Sequence, residues 1–327
     1  MRKIAILCTL GPSTLNKKFL SFAQKRRVDL VRLNLSHLDL QALEKNIKYI
    51  KRFSKLKICL DTEGAQIRTK INKEIILKKN QQLKIFKSIK FHLYPSEVFN
   101  KLKKNDILEL GFDGLVVKII KKNSKFLSAK CLKSGRLEKN KGVNLINRKI
   151  RLNFLTEKDF SAIRLAKKYN INYYALSFTN NLNDVKKFNA LLHGKTKIFK
   201  IETKEALINF DQIQSKASYF LIDRGDLSKD ISVEQVPIAQ RYIFKKKLKS
   251  KKIFIATNLL ESMISKPYPT RAEANDIYNS LEMGASGLVL AAETAIGGYP
   301  EVCIDFLKKI IHQYKKNFLN KNLSNLI

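Results

Sequence analysis

The chain has 327 residues, of which 44% are hydrophobic, with 19 Phe and 11 Tyr, and its formal net charge is +36. This length and apolar content are enough to form a large buried core, which excludes an intrinsically disordered protein. The cysteines Cys8, Cys59, Cys131 and Cys303 are far apart in the sequence, which argues against a zinc site or a disulfide framework and fits a reducing cytoplasm.

The strong positive charge has two interpretations. It could indicate a protein that binds nucleic acid or a membrane surface, or it could reflect compositional drift, because Lys, Asn and Ile recur throughout the chain. The basic residues are spread from Lys3 to Lys321 without regular aromatic interleaving and without a recognisable binding module. We therefore favour drift and expect no specific nucleic-acid partner and no membrane partner, only weak nucleic-acid binding at low salt.

The first ten residues, MRKIAILCTL, predict a β-strand. Their apolar run is short and no small-residue cleavage site follows it, so a signal peptide is not indicated. No apolar run elsewhere approaches the length of a membrane span.

Short apolar strands then alternate with amphipathic helices along the chain. The strand candidates are Lys3–Thr9, Leu30–Leu35, Lys57–Asp61, Tyr173–Phe178, Lys197–Ile201, Ser218–Asp223, Lys252–Thr257 and Gly287–Ala291. The helix candidates include Leu40–Phe53, Glu157–Tyr169, Asp184–His193 and Arg271–Met283, the last with Thr270 as its N-cap. This alternation predicts an α/β fold, a (β/α)8 TIM barrel.

One interval interrupts the alternation. Between residues 70 and 152 the sequence shows shorter β-like runs separated by turn residues; these runs are Ile75–Leu77, Leu83–Phe86, Gly114–Ile120 and Phe126–Cys131. We interpret residues 70–152 as a small all-β domain inserted after the third strand. The barrel then comprises residues 1–69 and 153–314, and a polar tail follows at 315–327.

Two consecutive strands of the predicted barrel end in charged residues. Lys200 and Glu202 end the strand in KIFKIET, and Asp226 follows the next strand on the turn of YFLIDRGDL. Active sites of such barrels lie at the carboxyl ends of the strands. Carboxylates suit Mg²⁺, and an ammonium group suits the charge that develops in phosphoryl transfer. The residues alone leave open whether these are merely surface ion pairs beside buried strands.

Several longer motifs resemble the pyruvate kinase family. They are, in the family's order, ILCTLGPST at 6–14, VRLNLSH at 31–37, LDTEGAQIRT at 60–69, KGVNL at 141–145 and the run from Phe254 through MGASGLVLAAETAIGGYP. The family has a β domain at the place of the insertion, where it acts as a lid. The resemblance implies transfer of the phosphoryl group of phosphoenolpyruvate to ADP in glycolysis, with Mg²⁺ or Mn²⁺ and K⁺ as cofactors.

The resemblance also implies roles for individual residues. Lys200 matches the catalytic lysine, Glu202 and Asp226 match the Mg²⁺ ligands, and Thr257 matches a threonine beside the carbon that is protonated. Arg32 and Arg68 match arginines that grip phosphate. The turn with Gly225 and Asp226 would offer backbone N–H groups to the substrate carboxylate, since glycine permits close approach.

The potassium and nucleotide sites follow from the first three strands. The residues that match the K⁺ ligands are Asn34, Ser36, Asp61 and Thr62. Arg32 and His37 would lie toward the nucleotide. Each also has a local interpretation, since Asn34 and Ser36 could be turn formers and Asp61 a helix cap.

The chain departs from the family pattern at several positions. Asn180 and Asn181 replace an Arg-Lys pair near the nucleotide phosphates, and Asp223 replaces a normally small residue. The other replacements are Glu63 for Lys, Gln66 for an acidic residue, Arg151 for Asp, Ala291 and Ala292 for Ser and Gly, and Ile296 for Lys. The metal and lysine core is retained and the nucleotide side is altered.

The resemblance leaves alternatives open. We expect a family member without the usual C-terminal regulatory domain, and hence a homodimer or monomer rather than a tetramer. A catalytically impaired remnant that serves as a binding or scaffold protein is the second hypothesis, and a basic nucleic-acid binder is the third and weaker one.

Overall fold

The computed structural model describes residues 3–111 and 114–319. The chain divides into two compact units, one running up to Gly64 and from Glu157 onward, the other from Ala65 to Thr156. None of the helices in these described ranges is long and apolar enough to cross a membrane.

The N-terminal segment of the first unit alternates strands and helices. These elements are β1 (Ala5–Thr9), α1 (Lys17–Lys25), β2 (Leu30–Asn34), a 3-10 turn (Leu35–His37), α2 (Leu40–Phe53) and β3 (Ile58–Asp61). The Asn16 side chain accepts a hydrogen bond from Phe19 N at the start of α1, and Asp39 does the same from Ala42 N at the start of α2. These side chains satisfy amides that the first helical turn leaves free.

The second unit is built mainly from short strands. They are β4 (Ile67–Lys70), β5 (Ile75–Leu77), β6 (Gln82–Phe86), β7 (His92–Tyr94), β8 (Ile107–Leu110), β9 (Val116–Lys122), β10 (Phe126–Lys133), β11 (Gly135–Leu137) and β12 (Gly142–Leu145), with the short helix α3 (Glu97–Lys101) between β7 and β8. Seven of the strands within the described part of this unit close into a barrel, and β5 pairs with β11. Leu108, Val117, Ile119 and Leu127 are fully buried inside this unit.

The first unit continues from Glu157. Its further strands are β13 (Tyr173–Leu176), β14 (Thr196–Ile201), β15 (Tyr219–Asp223), β16 (Lys252–Ala256) and β17 (Gly287–Leu290). Its further helices are α4 (Glu157–Lys168), α5 (Leu182–Leu191), α6 (Lys204–Ile208), α7 (Phe210–Ser215), α8 (Arg224–Asp230), α9 (Val236–Lys246), α10 (Arg271–Glu282), α11 (Ala292–Ala295) and α12 (Pro300–Leu319), with 3-10 turns at Val233–Gln235 and Glu261–Ile264.

Across the described residues of the first unit, eight parallel strands close in the order β1-β17-β16-β15-β14-β13-β3-β2. One or two apolar side chains from each strand fill the barrel interior, among them Leu7, Ile198 and Phe254. Gly287 makes room for the Phe254 ring, because a Cβ at residue 287 would lie 2.5 Å from Phe254 Cδ1. All carboxyl ends of a parallel barrel lie at one rim, which is where polar side chains can meet.

The predicted TIM barrel with an inserted β domain is confirmed. Each predicted barrel strand overlaps an observed strand whose ends differ by one or two residues, and α2 has its predicted bounds. Thr270 is the N-cap of α10 as predicted, and Glu273 completes a capping box with it. The inserted unit also contains α3, which the alternation did not predict.

The domain boundaries of the structure differ from the predicted ones at the edges. Residues 65–69 and 153–156 belong to the second unit, and the first of these segments is held there by the pairing of β4 with β7 and β12. The last helix continues to Leu319, past the predicted start of a tail at residue 315. The rest of that predicted tail, residues 320–327, lies outside the described residues.

The contact of Gly287 with Phe254 generates a stability prediction. Gly287→Ala should lower the free energy of unfolding by about 1–3 kcal/mol, because the added methyl group overpacks the barrel interior. Chemical denaturation of the full chain measures the loss. Gly298→Ala is the matched control, since a Cβ at residue 298 meets its nearest neighbour, Ile264 O, at an ordinary 3.6 Å.

Shortening the opposing side chain tests the cause. Phe254→Leu should lower the free energy of unfolding by less in the Gly287→Ala background than in the wild-type chain, because the two side chains contact each other. If the two losses in unfolding free energy simply added, the contact with the Phe254 ring would not be the reason for glycine at residue 287.

Candidate active site

The ammonium group of Lys200 lies near the carboxyl end of β14 and contacts side chains from neighbouring strand ends. Its Nζ is 2.6 Å from Glu202 Oε1, 3.4 Å from Asp223 Oδ2 and 3.5 Å from Asp61 Oδ2. It also donates to Ser177 Oγ at 3.2 Å. Burial by itself would lower the pKa of Lys200, but the carboxylates of Asp61, Glu202 and Asp223 more than offset this and raise it. The side chain is therefore a fixed positive charge.

A second buried cation completes this group. Arg32 on β2 contacts Asp61 Oδ2 through its Nη1 at 3.1 Å and donates from Nε to Thr9 Oγ1 at 2.9 Å. The side chains of Arg32 and Asp61 are 5% and 1% exposed. Asp61 thus bridges Arg32 and Lys200, and the two cations are held apart by a shared carboxylate.

Glu202 follows β14 directly and is buried with Lys200. Its Oε2 accepts a hydrogen bond from Phe178 N at 2.6 Å, and Phe178 has a positive φ of 52° that turns this amide toward the rim. Burial, followed by the nearby charges of Asp223 and Asp226, raises the pKa of Glu202 to about 8 against the opposing effect of Lys200. Burial is thus the main reason that this carboxyl group resists ionisation.

The turn after β15 carries the other two carboxylates. Asp223 ends the strand, and Asp226 lies in the first turn of α8 and pairs with Lys229 at 2.7 Å. Arg224 fixes this turn, because it donates to Thr257 O at 2.6 Å and forms an ion pair with Asp276 on α10. The turn is thus tied to the next strand and to its helix.

The backbone N–H groups of this turn are engaged by neighbouring side chains. Gly225 N donates to Thr257 Oγ1 at 2.8 Å, and Asp226 N faces Asp223 Oδ1 at 3.5 Å. Thr257 has a φ of 68°, a strained value for a β-branched residue and one found mostly at functional sites. A substrate carboxylate would have to replace these contacts to reach the two amides.

Three of the carboxylates meet the requirements of a cation site. Oxygen atoms of Glu202, Asp223 and Asp226 all lie within 4.8 Å of one another. Carboxylate oxygens are the preferred ligands of Mg²⁺ and Mn²⁺, so the donor set fits the divalent cation expected from the sequence. The expected ligands Glu202 and Asp226 are part of this set.

The residues expected to bind K⁺ lie on adjacent strand ends. Asn34 is in register with Asp61 across β2 and β3, and Asn34 Oδ1 accepts from Ser36 N at 3.0 Å. Thr62 Oγ1 accepts from Ser177 N at 3.1 Å. Asp61 is at the same time engaged with both buried cations. The potassium assignment stays a prediction.

The altered nucleotide side has a local structural role. Asn181 is the N-cap of α5 and forms a capping box with Asp184. Asn180 Oδ1 accepts a hydrogen bond from Thr203 Oγ1 at 2.6 Å. His37 is exposed at the end of the 3-10 turn after β2. The two asparagines thus stabilise helix starts, a contribution that the comparison of residue types did not reveal.

Local contacts explain one other departure, Glu63, and the structure also locates the predicted phosphate-binding residue Arg68. Glu63 is buried and paired with Lys158 at 2.9 Å, and Lys158 also donates to Leu35 O. The barrel unit therefore supplies its own cation for this unusual carboxylate. Arg68 belongs to the second unit, on β4, where its Nε is buried and has no hydrogen-bond partner among the described residues.

Sequence reasoning missed three contributors to the site. Asp223 was recognised only as an unusual residue, although its position directly before Arg224 placed it at the same strand end. Ser177 and the backbone of Phe178 follow β13, and the motif gave no reason to expect their contacts with Lys200 and Glu202. The strand-end rule applied to β13 could have indicated Ser177.

Comparisons with known proteins agree on one family. A family model described as pyruvate kinase, barrel domain, matches residues 1–304. A pyruvate kinase of Thermotoga maritima is 32% identical over 97% of this chain and 72% of its own length. Pyruvate kinases of Staphylococcus haemolyticus and Methanocaldococcus jannaschii are also 32% identical over 95% of the chain, which spans 56% and 69% of their respective lengths.

The buried ion group generates a prediction about stability. Lys200→Met should lower the free energy of unfolding by about 3–5 kcal/mol in metal-free buffer, because it leaves buried carboxylates without their shared cation. Lys197→Met on the same strand is the control, since Lys197 is half-buried and donates to a backbone carbonyl. A Lys200→Met loss no larger than that of the control would contradict a net stabilising role for the ammonium group.

Proposed function

The chain belongs to the pyruvate kinase family, and from this membership we propose that it transfers the phosphoryl group of phosphoenolpyruvate to ADP, giving pyruvate and ATP. The observation that carries the proposal is the group around Lys200: a buried ammonium and a three-carboxylate cation site at the carboxyl ends of barrel strands. Because the chain spans 56% to 72% of the relatives described above, the activity of those whole proteins is a proposal here.

The chemistry requires positive charge at two places. The bond between phosphorus and the enol oxygen breaks, the terminal oxygen of ADP bonds to phosphorus, and the resulting enolate takes a proton at carbon. Negative charge develops on the transferring group and on the enolate oxygen. A preorganised cation that faces these oxygens lowers the barrier, since it needs no rearrangement during the reaction.

Lys200 is suited to this task by its surroundings. Its raised pKa keeps it charged, and its strand end is fixed by the barrel. Three carboxylates hold the ammonium now, at 2.6 to 3.5 Å. We infer that the substrate phosphate takes over part of these contacts, while Arg32, held by Asp61 and Thr9, adds a second positive charge.

The cofactors are assigned by donor chemistry. Glu202 and Asp226 would hold Mg²⁺ or Mn²⁺, which supplies positive charge to phosphate and enolate oxygens when bound. Asn34, Ser36, Asp61 and Thr62 are the candidates for K⁺. Thr257 would lie beside the carbon that is protonated, with Gly225 and Asp226 next to the substrate carboxylate.

The nucleotide side supports weaker binding of ADP. Asn180 and Asn181 lack the two cations expected near the phosphates, while Arg32 and His37 remain as candidates and Arg68 remains for phosphate. We therefore propose that the chain uses ADP with a high KM. The overall positive charge offsets part of the loss at low ionic strength.

A second candidate function is supported by the turn after β15. Asp223 Oδ1 faces the Asp226 amide that a substrate carboxylate would need. An impaired family member that acts as a binding or scaffold protein would tolerate the Asp223 carboxylate beside this amide, because it need not bind the substrate carboxylate there. Formation of pyruvate by the purified chain with phosphoenolpyruvate, ADP, Mg²⁺ and K⁺ supports the enzyme, and binding of phosphoenolpyruvate without pyruvate formation supports the second candidate.

The assignment of the catalytic lysine is tested with a variant that keeps the buried charge. Lys200→Arg should reduce kcat by about 10²–10³-fold or more, because the planar guanidinium cannot place its charge where the ammonium lies. Pyruvate formation in a coupled assay measures kcat, and circular dichroism checks folding. Lys197→Arg on the same strand is the control, and a Lys200→Arg enzyme with nearly normal turnover would refute the assignment.

The altered nucleotide side gives a gain-of-function test. Asn180→Arg should lower the KM for ADP by about 10- to 100-fold, since a charge-assisted hydrogen bond to phosphate contributes about 1.5–3 kcal/mol and about 1.4 kcal/mol corresponds to tenfold. Asn181 is left unchanged because it caps α5. Asn183→Arg adds the same charge to the exposed first turn of α5 as a control.

The two variants separate local from general attraction. The KM for phosphoenolpyruvate should stay the same in both. An equal fall in the ADP KM for Asn180→Arg and Asn183→Arg would indicate only long-range charge, and no fall in either would place the nucleotide elsewhere.

A further inference from the structure

Asp223 is the buried carboxylate of the site that the family pattern does not account for. Its side chain is 6% exposed, yet its contacts with Lys200 Nζ and Asp226 N are long, at 3.4 Å and 3.5 Å. Hydrogen bonds to carboxylates are normally 2.7–2.9 Å when the donor is charged. Glu202, in contrast, has contacts of 2.6 Å on both of its oxygens. Asp223 is therefore a buried carboxylate that is held by longer contacts than Glu202 is, chiefly with Lys200.

The charges around Asp223 do not balance. Among the described side chains of this group that are no more than 6% exposed, Asp61, Glu202 and Asp223 oppose only Arg32 and Lys200. With all three carboxylates ionised one negative charge would be in excess, and burial, which raises the pKa of Glu202 to about 8, relieves this excess by protonation when no further cation is bound. Asp226 adds a further carboxylate at the same place, although Lys229 pairs with it from the exposed side.

The geometry gives that additional cation a place. Oxygens of Glu202, Asp223 and Asp226 lie within 4.8 Å of one another. Opposite oxygens of an octahedral Mg²⁺ are about 4.1 Å apart, from bonds of about 2.0–2.1 Å, so small side-chain movements bring all three oxygens to bonding distance. The long contacts of Asp223 are the ones most easily given up in such a movement.

We propose that Asp223 is a third carboxylate ligand of the divalent cation in this chain, together with Glu202 and Asp226. The inference rests on the proposed function for the presence of that cation, and it goes beyond it in the ligand set. A third carboxylate binds a hard divalent cation more tightly than a small apolar residue at the same position would. It also explains how a buried aspartate is tolerated beside Lys200 and Glu202.

The test measures the binding of Mn²⁺ alone to the whole chain described here, with electron paramagnetic resonance as the readout. Asp223→Asn should weaken binding by at least about 10- to 100-fold, the loss typical of removing even an indirect supporting group of a metal site. The amide keeps the size of the side chain and an oxygen that can face Asp226 N. Asp211→Asn removes the same charge from an exposed position on α7 and should leave Mn²⁺ affinity unchanged.

Two further readouts distinguish a ligand from a nearby charge. Water-proton relaxation should show about one additional water on Mn²⁺ in Asp223→Asn, because the lost oxygen is replaced by solvent. At one fixed Mn²⁺ concentration the melting temperature of wild type should rise more than that of Asp223→Asn, because the variant binds the ion less tightly. Affinity within about twofold of wild type, an unchanged water number or an equal Mn²⁺-induced rise in melting temperature would each overturn the proposal.

The failure of this inference and that of the proposed function give different results. A chain that makes pyruvate but binds Mn²⁺ equally well after Asp223→Asn would overturn the third-ligand assignment alone. A chain that loses Mn²⁺ affinity with Asp223→Asn but makes no pyruvate would overturn the proposed function alone.

Discussion

The ammonium group of Lys200 is the point on which the barrel rim depends. It contacts carboxylates from three strand ends, Asp61, Glu202 and Asp223, and each of these carboxylates has a further partner: Arg32, the Phe178 amide or the Asp226 amide. Buried charges are tolerated only when they are paired, so the positions of these strand ends are fixed relative to one another. The same constraint keeps a positive charge where the proposed phosphoryl transfer would need one.

This arrangement also links stability with ligand binding. A group that satisfies its charges internally has to exchange those contacts when an anionic substrate or a cation arrives. Lys200 has four polar contacts to exchange, and Asp223 has only long ones. Asp223 therefore has only long contacts to give up to an incoming cation, whereas Arg32 and Asp61 serve mainly to hold the group together.

Much of the barrel could be predicted from the sequence because its signals are local. Buried parallel strands are short apolar runs, and helix starts such as Asp39 and Thr270 are marked by capping residues. Asp61 and Glu202, which contact Lys200, could be predicted as site residues because the strand-end rule and the resemblance indicate the same positions, whereas the contacts of Asp223 and Ser177 with Lys200 could not. The small helix Glu97–Lys101 could not, because five residues give no clear period.

The contacts of individual polar residues were beyond the sequence. From the sequence, Asn181 is only a position where a positive charge is missing, but in the structure it caps α5 together with Asp184. The sequence suggests that the Gly225 amide is available to a substrate, but in the structure it donates a hydrogen bond to the Thr257 hydroxyl. Many lysines that read as drift have local partners too: Lys122 donates to the carbonyls of Phe99, Asn100 and Leu102 at the end of α3. Such pairings depend on tertiary position, which residue type does not encode.

The most direct measurement is the anomalous scattering of Mn²⁺ in a crystal of the full chain grown with phosphoenolpyruvate. A cation site at the rim predicts a peak within about 2.0–2.6 Å of the carboxylates of Glu202, Asp223 and Asp226, with substrate phosphate beside Lys200. A peak at another place, or substrate bound away from Lys200, would contradict the assignment of the site.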